Sequence, residues 1–145
     1  MIDIPELPAL APAGADRMRA LAETILLDFS HPRVAALVQG RGWQQLTEHG
    51  RIAAAYAFVR DEIAFGYNRD DDLKASEVLA DGYGQCNTKS TLMMALLRAL
   101  GIPCRFHGFT IDKQLQRGAI TGLAYWLAPR NIIHSWVEVW TGERW

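Results

Sequence analysis

Cysteine is scarce in these 145 residues, no long apolar run or internal repeat occurs, and net charge is almost absent. Cys86 and Cys104 allow one bridge at most, a poor framework for a fold, so both are expected as free thiols in a reducing compartment. No apolar stretch approaches the roughly 18 residues that span a bilayer. The N-terminus also lacks a basic patch followed by an unbroken apolar core, so the expectation is a cytoplasmic protein with no membrane partner. Fifteen basic against sixteen acidic side chains leave a formal charge of -1, which offers no general attraction to nucleic acid. Metal-ligand spacing is missing too. Cys104 and His107 stand three apart in a segment that reads as a strand, which sends them to opposite faces. Asp70, Asp71 and Asp72 lack the alternation and the glycine of a calcium loop and read as a solvated acidic turn. No metal or cofactor is expected.

What is present is enough apolar residue, half of the chain, to bury one substantial core, and the length argues for a single domain. Residues 1–14 carry Pro5, Pro8 and Pro12 and read as an extended arm, followed by a helical part over 15–66 and a core over 67–145. Met18, Leu21, Ala22, Ile25 and Phe29 recur at helical spacing, predicting an amphipathic helix from Ala15 to about Ser30. A short helix should follow over Pro32 to about Val38, then a long one over Trp43 to Phe65, with a candidate break near His49-Gly50 and Ile52, Tyr56, Val59 and Ile63 on its inner face. Asn68 to Asp72 reads as a loop, with Ser76 as the cap of a helix over 77–80. A helix from Cys86 to Leu100 with Ser90, Met93, Leu97 and Leu100 inward, stopped by Gly101 and Pro103, comes next. Strands are expected over Cys104 to Ile111 and Ile132 to Trp140, with a short helix over 113–117 and a loop at 128–130 between them, and a turn at 141–144. Helices first and strands last indicate an α+β fold with an antiparallel sheet.

Chemistry is suggested by Gly84-Gln85-Cys86 at the start of that helix and by His134, 48 positions later in the alternating segment His-Ser-Trp-Val-Glu-Val-Trp. A thiol attacks carbonyl carbon well when the thiolate is favoured, and both a helix N-terminus and a neighbouring imidazole favour it. Free amides of the first turn, that of Cys86 included, can receive an oxyanion. Tyr67 and, less favourably aimed, Gln85 are further candidates for an oxyanion donor. His134, Trp136, Glu138 and Trp140 share one face of the strand, while Ile133, Ser135, Val137 and Val139 take the other, expected to be the more buried.

Taken together, Gly84-Gln85-Cys86, the exit Leu100-Gly101-Ile102-Pro103-Cys104-Arg105, the strand His134-Ser135-Trp136-Val137-Glu138 and Trp145 resemble the transglutaminase-like superfamily core. The resemblance covers roughly residues 50 to 145. It implies a papain-like α+β fold, N-terminal helices, a central helix carrying the cysteine and an antiparallel sheet carrying the histidine. It also implies a Cys, His, Asp triad, with Cys86 at the nucleophile position and His134 at that of the base. The family's aspartate lies beyond the tryptophan matched by Trp145, and no aspartate follows His134 in this sequence, so the core is expected to be C-terminally incomplete. A substitute acid would have to be Glu138, Asp112 or Asp81. The expected activity is cysteine-dependent hydrolysis of a peptide or protein amide through a thioester. The alternatives are transfer of a glutamine acyl group to an amine, and a non-catalytic scaffold that binds peptide or protein.

Overall fold

The structure, a computed structural model, describes residues 14–116, 118 and 121–145. The expected N-terminal arm lies outside the described residues apart from Gly14, which begins the first helix. The elements are α1 (Gly14–Leu21), α2 (Pro32–Gly40), α3 (Glu48–Asp61), β1 (Ala64–Phe65), α4 (Ala75–Asp81), β2 (Tyr83–Gly84), α5 (Cys86–Ala99), β3 (Cys104–Asp112), α6 (Gly122–Leu127) and β4 (Asn131–Val139). Single 3-10 turns lie at Trp43–Gln45 and Lys113–Gln116. Among the described residues no helix is long and apolar enough to cross a membrane.

The first helix is shorter than its apolar stripe predicts. It stops at Leu21, and Ile25, meant for the buried face, is 81% exposed. Polar side chains downstream offer the backbone local partners that compete with helix. Thr24 Oγ1 accepts the amide of Leu27, and Glu23 accepts both the amide and the hydroxyl of Ser30. The extended segment is then tied to α4, where the Ala75 amide donates to Leu26 O and Asp28 accepts from the Ser76 amide and hydroxyl. Ser76 is therefore a buried anchor inside α4. Lys74 occupies the cap position instead, and Glu77 reaches back to accept its amide.

The long helix expected from Trp43 is split. Leu46 is extended and Thr47 caps α3 by accepting the Gly50 amide, so the break falls just before the His49-Gly50 pair. Ala55, Phe58, Val59 and Ile63 are buried, whereas Tyr56 is half-exposed and carries the Arg60 guanidinium over its ring. Phe58 meets the edge of Trp43, with ring centroids 5.7 Å apart. That aromatic contact selects the inward face.

α5 is the centre of the molecule. Leu92, Leu96 and Leu97 have no solvent exposure, and Met94, Ala95 and Leu100 are buried as well. Of the predicted stripe Leu97 and Leu100 are buried, but Ser90 and Met93 are only partly so, because α3, α4 and the sheet all pack on this helix and draw other residues inward; a helix apolar on most of its circumference is a buried one. Gly101, at φ +75, turns the chain out of α5 as expected, and the Ile102 amide closes back on Leu97 O.

β3 and β4 pair antiparallel from Cys104↔Val139 through Phe109↔His134 to Asp112↔Asn131. Alternation then puts Cys104, Ser135, Val137 and Val139 toward α5, and His134, Trp136 and Glu138 on the other face. But Ile133, expected inward, is 70% exposed at the far end of the strand, and Trp140, expected on the open face, is buried just past the end of β4. The parallel pairing of β1 with β2 is a feature that two-residue segments could not announce; it brings the end of α3 beside Gly84. α6 also goes beyond the expectation. The helix predicted at 113–117 is a 3-10 turn over Lys113–Gln116, with Arg117 outside the described residues.

Candidate active site

Gly84 and the four residues after it form a tight joint. Gly84 does not take the left-handed conformation; Gly82 does, at φ +70. Gly84 is needed for close approach instead, since a Cβ there would stand 2.7 Å from Thr88 Oγ1 and 3.1 Å from Lys89 Cγ. Thr88 is fully buried, and its hydroxyl accepts the Gln85 amide (3.0 Å) while donating to Asn68 Oδ1 (2.7 Å). Gly84→Ala is expected to lower stability by about 1 to 3 kcal/mol, because the methyl overfills a packed joint. Urea unfolding of the variant beside the parent measures it.

Cys86 is the first residue of α5 and is half-buried. Its thiol donates to Gln85 Oε1 at 3.1 Å and lies 3.7 Å from Asn87 Oδ1. Gln85 Oε1 also accepts the Asn87 amide, so the Gln85 side chain caps the helix with its oxygen and turns its NH2 end to Asp71. In this orientation Gln85 presents an acceptor to the sulfur, where an oxyanion site needs donors. Tyr67 is 68% exposed and packs edge-on against Phe65, and among the described residues it has no hydrogen bond to Cys86. The backbone amide of Cys86 stands in the first turn, where intrahelical partners are lacking.

Cys86 opens into a cavity of about 380 Å³ whose walls are Tyr56 and Val59 of α3, Met93 of α5, and Ser135, Trp136 and Val137 of β4. A second cavity of about 430 Å³ lies by Asn87, between Leu27, Asp72, Phe106 and Ile133. The head of α5 thus stands between two clefts, one at Cys86 and one at the residue after it.

β4 reaches this point through Ser135, whose hydroxyl donates to Asn87 Oδ1 at 3.0 Å. His134 is the preceding residue and projects to the other face, where its ring meets Phe109 edge-on with centroids 5.3 Å apart. No hydrogen bond joins it to Cys86 among the described residues. Its Nδ1 is buried without a hydrogen-bond partner among the described residues, which leaves one ring nitrogen open to an orienting acid. The three substitute acids are engaged elsewhere. Asp81 accepts from Asn68, and Asp112 from the Gln114 amide and from Arg130. Glu138 takes Arg105 at 2.6 Å and the Trp136 indole. Burial alone would raise the Glu138 carboxyl, but those two hydrogen bonds and the Arg105 charge together outweigh it and hold the group below the usual glutamate range.

Cys86 is only half-buried, whereas Cys104 is closed off from solvent. It has no solvent exposure, its thiol faces Met94 O, and burial pushes that thiol up, against the smaller opposing effect of Arg98. Among the described residues no three His, Cys, Asp or Glu side chains gather in a way that could hold a metal ion.

Asn87 and Thr88 were not singled out from sequence, Asn68 and Asp71 were read only as parts of a solvated loop, and Ser135 only as part of the histidine strand. Thr88 and Asn87 stand in the first turn of α5 and could have been read as capping partners. Asp71 and Ser135 join the site through tertiary contacts alone.

Comparison with known proteins bears on this arrangement. Residues 35–145 match the family described as the Transglutaminase-like superfamily. The chain is 31% identical over 91 residues to the uncharacterised protein YebA of Bacillus subtilis (strain 168), a match over 62% of this chain and 12% of YebA. Its fold is similar to that of a solved protein from Cytophaga hutchinsonii described as a proposed cysteine protease, with a TM-score of 0.68 and 16% identity over 96% of this chain and 43% of that one. The chain therefore spans only a small part of YebA and less than half of the solved protein.

Proposed function

The chain belongs to the transglutaminase-like superfamily, and from that premise we propose that it carries a cysteine-dependent acyl-transfer centre that hydrolyses amide bonds, with Cys86 as nucleophile and His134 as base. The observation that carries the reading is the position of Cys86. Its thiol lies at the first residue of the central helix and opens into a cavity whose far wall is the histidine-bearing strand.

The sulfur attacks the carbonyl carbon of a peptide or isopeptide bond, and the charge that develops on oxygen is received by free amides of the first turn of α5. Collapse breaks the C–N bond, and the amine leaves with a proton from the imidazolium of His134. Water then attacks the thioester, returning a carboxylic acid and the free thiol. For this the His134 ring has to leave Phe109 for the sulfur, and Ser135 on Asn87 anchors the strand one residue away. The apolar cavity beside Cys86 suits an aliphatic or aromatic side chain of the substrate.

Iodoacetamide at pH 6 is expected to modify Cys86 at least tenfold faster than Cys104. Equal and slow labelling of both, followed by mass spectrometry, would remove the nucleophile from the proposal. Reaction type is tested by incubating the protein with a glutamine peptide, alone and with a labelled primary amine. Incorporated amine would assign a transferase, whereas peptide fragments or released ammonia without incorporation support the hydrolase.

A further inference from the structure

We propose that Asp71 is the positioning residue of this nucleophile: its carboxylate grips the side-chain amides on both sides of Cys86 and so turns their oxygens onto the sulfur. The inference rests on the reading of Cys86 as the attacking group. A carboxylate only accepts hydrogen bonds, whereas a carboxamide has a donor end and an acceptor end. Gln85 therefore presents Nε2 to Asp71 Oδ1, and Asn87 presents Nδ2 to Asp71 Oδ2 at 3.4 Å. The opposite ends, Gln85 Oε1 and Asn87 Oδ1, then lie 3.1 and 3.7 Å from the thiol. Turning Gln85 over would drive its oxygen against the Asp71 carboxylate and its NH2 against the Asn87 amide, so Asp71 and the helix cap together hold it in one sense.

Asp71 is itself well placed to do this. Asp70 Oδ1 accepts the amides of Asp71 and Asp72, which shapes the turn. On one side Asn68 is held by Asp81, Tyr83 O and Thr88, and on the other Leu73 is sunk in the core. Asn87 is gripped a second time by Ser135, so a single amide joins the acidic loop, the head of α5 and the histidine strand. The other charged or titratable groups that line the cavity at the thiol are Lys89, Arg60 and Tyr56. Lys89 donates to Ile63 O and Arg60 to Asp61, so neither grips a neighbour of Cys86.

The consequence is a resting state in which an amide oxygen, not an N–H, faces the sulfur; without Asp71 only the Asn87 amide holds the Gln85 side chain in that sense, and it turns over more readily. Iodoacetamide labelling of Cys86 in the full chain, followed from pH 5 to 9, tests it. Asp71→Ala and the isosteric Asp71→Asn are expected to speed labelling at pH 6 by about 3- to 10-fold and to move the half-maximal pH downward. Gln85→Ala should do the same, and adding Asp71→Ala to it should bring less than Asp71→Ala brings alone, because part of the Asp71 effect runs through the Gln85 amide. An unchanged pH profile in folded Asp71→Asn, or effects that add, would overturn the assignment. A parent thiol as slow as Cys104 would instead overturn the nucleophile reading, and is seen before any substitution is made. Should Asp71→Ala fail to fold, Asp71→Asn decides.

Discussion

Cys86→Ala is expected to lower amide turnover by about 10³-fold or more while leaving the fold intact, because a covalent mechanism has no second route once its sulfur is gone. A fall of that size is about 4 kcal/mol of transition-state stabilisation, well above what a lost surface contact removes. The stability cost should be small. Cys86 is half-buried, borders a cavity and makes weak sulfur hydrogen bonds, so its removal leaves no new void in the core. The measurement is cleavage of a mixed peptide pool read by mass spectrometry, beside a thermal melt of the same sample. Unchanged cleavage by a Cys86→Ala protein that melts with the parent would end the acyl-transfer proposal. Cys86→Ser is a companion: it nearly keeps the volume and replaces a good nucleophile by a poor one, so it should be equally inactive.

Leu96→Ala should have the largest effect on stability, about 2 to 5 kcal/mol. Leu96 has no solvent exposure and lies in the helix that the other elements enclose, so truncation costs both transfer free energy and an unfilled cavity. For a chain of this size each kcal/mol moves the melting temperature by roughly 2 to 4 °C, so a fall of about 10 °C is expected. Met18→Ala is the contrast. That side chain is 70% exposed, and its loss should stay within about 0.5 kcal/mol. If the two variants melted alike, the placement of α5 at the centre would be wrong.

Stability should also fall as the solution becomes alkaline. Burial holds the Cys104 thiol above its ordinary 9.0 in the folded protein. The unfolded chain therefore loses that proton first, and the stabilisation present below pH 9 declines as pH rises toward the folded value. Parallel melts of the parent and Cys104→Ala between pH 7 and 10 check this, with the parent expected to lose more of its neutral-pH stability.

Several elements were legible from local signals because local physics decides them. The proline at the start of α2, the glycine after α5 and the alternation of β4 from His134 to Val137 all act within one or two turns, and each appears where the pattern put it. The failures share a cause. The apolar stripe from Met18 to Phe29 had helical spacing, yet Asp28 and Leu27 serve contacts with α4 and the core that a continuous helix would forgo. Tyr56 satisfied the spacing of α3, but Phe58 had the better partner in Trp43. Periodicity states which faces are possible, and packing chooses among them.

The sequence by itself determined the family, the central helix with its cysteine at the first turn, and the two antiparallel strands with histidine on one, because spacing, turn residues and alternation encode these within short windows. Only the tertiary structure decided what surrounds the sulfur. Asp71 comes from a loop 15 residues upstream of Cys86 and Ser135 from a strand 49 residues downstream, and they meet at the head of α5 because its buried circumference draws the loop and the sheet onto it. Hydrogen bonds between such distant residues arise once the core has closed, and no local pattern in the chain carries them.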